Sequence, residues 1–576
     1  MPHLQERRIS LLFFFFLCTC LLLGGRLAYL QLLKGKELAA AAVEERILRL
    51  SLGNFLRGDI RDCRGKSLLD SQTTYVLAIF PDLVPSSLAG EVSRHPFPPQ
   101  FSREEQLAEI ILGLLPLDGK QDEMRSFLMT AFAKRSPFFL PVFLNREEAE
   151  DLKKIHVPGF YVITLPQRYG PAAQARHLIG YVKGSVLKGE PLEGVKGIEI
   201  LYDNFLAPTD PQVELLTVID RQGRPLEGRG LRLRGKGEEV GRGKNVVLTI
   251  DGRVQGLVEK LMDSYQIRGA VALLDIPSGE VRALASRPQY DQNTSSGDQF
   301  DRSLALYHPG SVFKIVVAAA ALAEGKVRPE EKFFCPGKFE FNEKEAIGCW
   351  QKEGHGSLNF REAFASSCNT VFVEVALRIG RAKLEHYARI LGLEEGLVGY
   401  PALKKGGMIQ IGAYDGQLGN AALGQEGVRI SPLTAASLAA TIGRGGIFVP
   451  PKIVKEIRDD RGSVVTSIPQ PATRRVLPAA VAAELQKMME LTIKEGTGKR
   501  ARVPGLGSAG KTGSVETVLR DAQGNPVSHA WFVGYAPVEF PQVAVAVFIE
   551  GGGTGGTVAA EIFRKIMEGL QEIDLS

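Results

Sequence analysis

The sequence predicts a mixed chain of the α/β (α+β) class: a membrane-spanning helix, a mixed module, then a domain whose sheet is assembled from distant segments beside a helical lobe. Three observations predict it. Residues 9–25 form a run of seventeen uncharged, mostly apolar residues. Strand-like runs bracket the C-terminal half, at 270–286 and again at 508–550, and the stretch between them is mostly helical in pattern. Strands at both ends with helices between them imply one sheet closed by the two ends, with the helices packed on its side.

With 576 residues, 44% of them hydrophobic, the chain can bury substantial cores, and its length predicts roughly three or four domain-sized units. A net charge of +5 is too small for this length to point to nucleic acid. The six cysteines, Cys18, Cys20, Cys63, Cys335, Cys349 and Cys368, make no disulfide framework and no CxxC pair, which argues against zinc ligation.

In chain order, the first element continues past Arg26 to Leu33 and follows Arg7 and Arg8. Residues 9–33 are long enough to cross a bilayer if Arg26 snorkels to an interface. A cleavable signal peptide is the competing reading. No Ala-x-Ala-like site follows, and the apolar part exceeds the usual ~7–15 residues. The arginines in front place residues 1–8 in the cytoplasm and the rest of the chain outside it, as a single-pass protein of the cell membrane. Residues 34–49, rich in Ala, Glu and Leu, read as a helix continuing out of the membrane. The module 34–244 mixes helical stretches (103–115, 146–155) with strands such as 213–220, and Pro96 to Pro99 reads as a loop. The second domain runs over 245–576.

In that domain, 270–275 and 280–286 read as a hairpin around the turn Ile276-Pro277-Ser278-Gly279. Residues 287–306 lack periodicity and read as a loop. Next comes His308-Pro309-Gly310-Ser311-Val312-Phe313-Lys314, followed by an apolar run. A Pro-Gly turn delivers Ser311 onto the first turn of a buried helix, with Lys314 three residues later on the same face. A desolvated lysine activates a serine hydroxyl, and a helix N-terminus favours the developing oxyanion. Ser-x-x-Lys alone is unspecific: Ser185-Val186-Leu187-Lys188 repeats it where Gly189 and Pro191 argue against a helix.

Two further motifs matter. Ser367-Cys368-Asn369 sits at a break between the helical stretches 360–366 and 370–379; Ser357-Leu358-Asn359 has the same pattern. Lys511-Thr512-Gly513, preceded by Gly510 and followed by Ser514, lies on a predicted strand. A lysine and a hydroxyl there suit a carboxylate, and the glycine lets a ligand backbone lie alongside as an added strand. Residues 508–515, 530–535 and 543–550 read as three successive strands, with a final helix over about 558–568.

Ser-x-x-Lys, Ser-x-Asn and Lys-Thr-Gly, in this order and on helix, loop and strand, match the known signature of penicillin-binding proteins and class A β-lactamases. Over nearly its whole length the chain resembles a class B penicillin-binding protein, a membrane-anchored peptidoglycan D,D-transpeptidase of the penicillin-binding protein 2 type. Arg57-Gly58-Asp59-Ile60-Arg61-Asp62 resembles the start of that family's N-terminal module, with Cys63 where an arginine is usual. His177-Leu178-Ile179-Gly180-Tyr181-Val182 and Gly197-Ile198-Glu199 resemble further segments of it. Leu248-Thr249-Ile250-Asp251 with Gln255 resembles the start of the transpeptidase domain, and Gly354-His355-Gly356 is familiar from the same family. Gly424-Gln425 with Ser431-Pro432-Leu433 resembles a Gly-Gln-Gly and Thr-Pro-Leu pair, with Glu426 replacing the second glycine.

The resemblance implies the penicillin-binding transpeptidase fold, with a five-stranded, mainly antiparallel sheet and a helical lobe on an elongated pedestal module. It also implies acyl transfer. Ser311 attacks the penultimate D-Ala carbonyl of a stem pentapeptide on lipid II-derived glycan, and a neighbouring stem's amine takes the acyl group. Lys314 is then the general base, and Ser367 and Asn369 relay protons and hold the substrate amide. Lys511 and Thr512 bind the substrate carboxylate beside Gly513, and the N–H groups of Ser311 and Ser514 form the oxyanion hole. β-Lactam antibiotics acylate the same serine. No metal or organic cofactor is called for. The expected partners are a polytopic glycan polymerase and other cell-wall complex members, with no nucleic acid.

Plainer readings exist for single residues: Ser367 and Asn369 as helix caps, Thr512 and Ser514 as strand residues, His355 as a loop residue, Cys368 as a packed side chain. A disulfide between Cys335 and Cys349 is left open. A β-lactamase or D,D-carboxypeptidase would share the motifs but pass the acyl group to water, so rapid turnover of bound penicillin separates it. A noncatalytic β-lactam-binding sensor or scaffold would bind penicillin yet fail to cross-link.

Overall fold

The computed structural model describes residues 2–573 apart from 45–46, 52–55, 85–100, 115–120, 156, 209–213, 219–231, 235–241, 521–523 and 525. The loop read at Pro96 to Pro99 lies outside the described residues. At the N-terminus, Ile9–Leu33 forms a single exposed helix of 25 residues, long and apolar enough to cross a membrane. At 1.5 Å per residue it spans about 37 Å, against about 30 Å of bilayer hydrocarbon.

The helix expected over 34–49 is shorter. It runs over Gly35–Glu44 and gives way to a strand, Ile47–Ser51, which pairs antiparallel with Glu214–Val218. That long-range partner overrides the local helical preference of an Ala- and Glu-rich segment. Farther on, Gln72–Ile79 is flanked by Phe138–Phe139 and Phe160–Gln167 in a three-stranded antiparallel sheet. The helices Arg103–Leu114, Gln121–Ala133 and Arg146–Ile155 bury Leu107, Ile111, Leu128 and Leu152 with Leu77 and Ile79 of that sheet.

Buried polar contacts built on the motifs the sequence singled out hold the module together and join it to the second domain. The Arg57 guanidinium donates to Glu199 Oε2 at 2.9 Å and pairs with Asp203 at 2.7 Å, while Arg168 and Tyr169 donate to Glu199 Oε1 at 2.6 and 2.8 Å. These three donors hold the fully buried Glu199 carboxyl below the usual carboxylate range against the opposing effect of its burial. Asp62 accepts from the backbone N–H of Gly252, and Ile60–Arg61 pairs in parallel with Val246 and Val247.

The second domain is built on a five-stranded antiparallel sheet. Its strands are β1 (Gly269–Asp275), β2 (Val281–Arg287), β3 (Ala509–Arg520), β4 (Pro526–Ala536) and β5 (Val543–Ile549), in the spatial order β2-β1-β5-β4-β3. The nearly unbroken apolar runs of its inner strands follow from both faces being covered. Val271, Leu273, Val545 and Val547 point to one face, under helices α1 (Gly252–Ser264) and α7 (Val558–Leu570). Ala272, Leu274, Ala546 and Phe548 point to the other, toward the helical lobe. That lobe contains α2 (Lys314–Ala323), α3 (Phe360–Ala365), α4 (Asn369–Ile379), α5 (Pro432–Gly443) and α6 (Ala479–Lys494). α5 is buried throughout, beneath β1, β4 and β5. The stretch 287–306 is irregular apart from two short paired segments, Tyr290–Asp291 and Ser296–Gly297.

Candidate active site

Ser311 stands where the helical lobe meets edge strand β3. The turn in front of it is fixed from several sides. His308 accepts from the Trp531 indole at 3.1 Å through its carbonyl and contacts the Val428 carbonyl at 2.8 Å through Nδ1. Gly310, at φ +57°, donates to the Gly424 carbonyl at 3.0 Å. A side chain at Gly310 would meet the Ser514 carbonyl at 2.9 Å, and one at Gly513 would meet the Pro309 carbonyl at 2.8 Å. Glycine at both positions is what lets the turn lie directly on the strand.

Residues Gly310–Phe313 form a 3-10 turn that runs into α2. In such a turn residues three apart eclipse, so Ser311 and Lys314 stack on one face. Ser311 is half-buried, whereas Lys314 is wholly buried. The lysine amine donates to the Ser367 carbonyl at 2.7 Å, to the Ser367 hydroxyl at 3.3 Å and to Asn369 Oδ1 at 2.8 Å. Burial pushes its pKa down to about 8, close to the range where a buried amine works as a base. The Phe372 ring, 5.3 Å from the amine, offers its face to whatever charge remains.

Ser367 is the pivot. It lies between α3 and α4 in the left-handed region, at φ +57°, which a side chain with a Cβ adopts only under constraint. That conformation turns its carbonyl and its hydroxyl toward the same amine. From the other side Lys511, on β3, donates to the same Ser367 hydroxyl at 3.0 Å and to the Thr512 carbonyl at 3.1 Å. Lys511 is also fully buried, and desolvation, with the Lys314 charge second, lowers its pKa well below the ordinary lysine value. Thr512 shares a 2.6 Å hydrogen bond with the Thr497 hydroxyl, and the Ser514 hydroxyl accepts from the Gly555 N–H at 3.1 Å. Asn369 is anchored through Nδ2 to the Gly348 carbonyl at 3.0 Å.

A model of the penicillin binding protein transpeptidase domain matches residues 269–568, and one of the penicillin-binding protein dimerisation domain matches residues 54–248. The chain belongs to the penicillin-binding protein transpeptidase family. Among curated proteins, it is 26% identical to stage V sporulation protein D of Bacillus subtilis, over 98% of this chain and 85% of that protein. It is 33% identical to the peptidoglycan D,D-transpeptidase PbpA of Mycobacterium tuberculosis, over 57% of this chain and 72% of that protein. It is 28% identical to the peptidoglycan D,D-transpeptidase FtsI of Escherichia coli, over 99% of this chain and 93% of that protein.

Within this penicillin-binding protein the structure brings Lys314, Ser367, Asn369, Lys511 and Thr512 into one hydrogen-bonded group, with Ser311 beside it. The lookalike motifs fall elsewhere. Val186–Lys188 is a short 3-10 turn ending at Gly189, and Asn359 is an N-cap whose side chain and that of Glu362 form a capping box. Glu426, where the family's second glycine was expected, accepts from Gln417 and Asn420, and Gly427 takes the positive φ (67°) one residue later.

Sequence reasoning missed Thr497, whose only signal is the Gly496-Thr497-Gly498 run after α6. It also missed a convergence. The expectation against zinc rested on the lack of close cysteine pairs along the chain. In the fold, Cys335, Cys349, His355 and Cys368 come together, with one ligand atom of each within 4.8 Å of all the others. All six cysteines are free thiols, so Cys335 and Cys349 are not bonded to each other.

Gly424 offers a direct test of how strictly the Ser311 turn is held. A Cβ there would lie 2.2 Å from the Gly310 carbonyl oxygen, at a residue with φ +68°. Gly424→Ala is therefore expected to displace the Ser311 turn and lower the second-order rate of penicillin acylation by about 10²-fold. Stopped-flow acylation kinetics beside a melting curve separate that effect from simple loss of fold.

Proposed function

We propose that this protein is a serine-type peptidoglycan D,D-transpeptidase with Ser311 as its nucleophile. The observation that carries the reading is the shared contact at Ser367: two buried lysines from opposite walls donate to one hydroxyl, next to a half-buried serine. In the acylation step Lys314, as the free amine, takes the Ser311 proton while Oγ attacks the penultimate D-Ala carbonyl. The Ser367 hydroxyl passes a proton toward the departing D-Ala nitrogen, Asn369 holds the stem-peptide amide, and Lys511 with Thr512 binds the terminal carboxylate. The substrate backbone lies along β3 beside Gly513, and the N–H groups of Ser311 and Ser514 receive the oxyanion. The amine of a second stem then displaces Ser311 and completes the cross-link.

Residues 1–8 form a cytoplasmic tail in this reading, 9–33 the membrane anchor, 34–244 the pedestal module and 245–576 the transpeptidase domain outside the cytoplasm. The anchor and the module are the surfaces through which a polytopic glycan polymerase and other members of a cell-wall complex would hold the enzyme at its lipid II-derived substrate.

The decisive experiment supplies lipid-linked glycan with pentapeptide stems and a polymerase, and follows both cross-linked muropeptides and released D-Ala. Cross-links in proportion to D-Ala are expected. D-Ala release without cross-links would indicate a carboxypeptidase, and penicillin binding with neither product a scaffold.

A further inference from the structure

Three cysteines and a histidine converge from four places in the helical lobe. Cys335 ends the strand Lys332–Cys335, Cys349 follows Glu345–Gly348, His355 precedes Gly356–Asn359, and Cys368 is the N-cap of α4. The thiols of Cys335, Cys349 and Cys368 are buried, at 1%, 7% and 0% exposure. Cys349 Sγ lies 3.5 Å from His355 Nδ1, and His355 Nε2 is buried without a hydrogen-bond partner. Sulfur–metal bonds of about 2.3 Å and nitrogen–metal bonds of about 2.0 Å give tetrahedron edges of about 3.5–3.8 Å. A spread within 4.8 Å therefore needs only a small contraction around an ion.

We propose that Cys335, Cys349, His355 and Cys368 form a tetrahedral zinc site that fixes the Ser367–Asn369 loop. The alternative use of such thiols outside the cytoplasm is a disulfide. A disulfide joins two of the three and leaves the third thiol and the imidazole outside the bond. A single Zn2+ satisfies all four groups at once, and a closed set of three thiolates and one imidazole is that of a structural site. The position of Cys368 ties it to the chemistry. Cys368 lies between Ser367 and Asn369, which both accept from the Lys314 amine, and the Asn369 N–H points at Cys349 Sγ at 3.4 Å. The ion would pin the loop to the hairpin Lys338–Asn342/Glu345–Gly348 on one side and to the strand pair Lys332–Cys335/Gly356–Asn359 on the other. These cysteines and His355 would act as positioning residues, through the loop they hold.

The test uses the full-length protein, purified without chelator. Elemental analysis is expected to find one zinc per chain, and replacement by Co2+ to give thiolate-to-cobalt charge transfer with the intense visible bands of a tetrahedral site. The Cys335→Ser and His355→Ala proteins are expected to lose the metal. The Ser311→Ala protein is expected to keep it, so metal content is read independently of the acyl-enzyme reading. Chelation should slow penicillin acylation and re-added Zn2+ should restore it; this arm alone rests on that reading. Metal-free protein with a disulfide within the cluster, or with three readily alkylated thiols and full acylation rate, would overturn the site. Should both variants fail to fold, the cobalt spectrum of the unsubstituted chain still decides.

Discussion

Ser311→Ala is expected to abolish covalent labelling by a fluorescent penicillin while leaving the melting temperature close to that of the unsubstituted protein. The reasoning lies in the surroundings of the hydroxyl. Among the described residues it has no hydrogen-bond partner, and its side chain is half-buried rather than packed. The substitution removes one oxygen and strands no buried donor or acceptor, so the folding cost is small. In the proposed reaction the chemical cost is complete, because Ser311 Oγ is the atom that forms the acyl bond. Gel fluorescence beside a thermal melt reads both quantities on one sample. Retained labelling would transfer the nucleophile's role to another residue, with Ser367 first in line.

Lys314→Ala should lower the acylation rate by about 10²–10⁴-fold, the range for loss of a positioned general base. The same residue sets a pH dependence whose sign follows from its environment. Burial lowers the Lys314 pKa to about 8, so the free amine is the minor form at neutral pH and the major form above about pH 8. Acylation by penicillin is therefore expected to rise as pH rises through about 8 and then level, and the rise should vanish in the alanine protein. Stability moves the same way. Between about 8 and the ordinary value of 10.5 the unfolded chain binds a proton at this residue that the folded chain does not, so stability from this group increases with pH across that window. Below it the full cost of burying the amine is felt. A measured acylation rate that falls as pH increases would rule out the free amine as the base.

The features legible in the sequence were those carried by local pattern. Short apolar, β-rich runs at 270–286 and 508–550, broken by turn residues, located all five strands, because both faces of the sheet are covered and each strand is buried nearly throughout. Motif order singled out Ser311, Ser367 and Lys511, and the fold joins the last two by a hydrogen bond. What local pattern does not encode is which groups meet. That the Lys314 amine is held by the Ser367 carbonyl and Asn369, with no hydrogen bond to Ser311, depends on a left-handed turn at a serine. The strand at Ile47–Ser51 depends on a partner far along the chain, and the Cys335–Cys349–His355–Cys368 cluster on three loops folding back together.

The order of the sheet governs when such a chain becomes an enzyme. Its middle pair joins β1, completed by residue 275, to β5, which begins at residue 543. Contacts of that sequence separation are slow to form and wait for nearly the whole polypeptide to be made. Until then the Ser311 helix has no strand to lie against, and Lys511 has not arrived. Under the proposed mechanism, a nascent or C-terminally truncated chain would carry the nucleophile without its carboxylate-binding wall. Reactivity toward acyl donors is then expected to arise only with the last stretch synthesised, and penicillin labelling of chains stalled at increasing lengths would trace that moment.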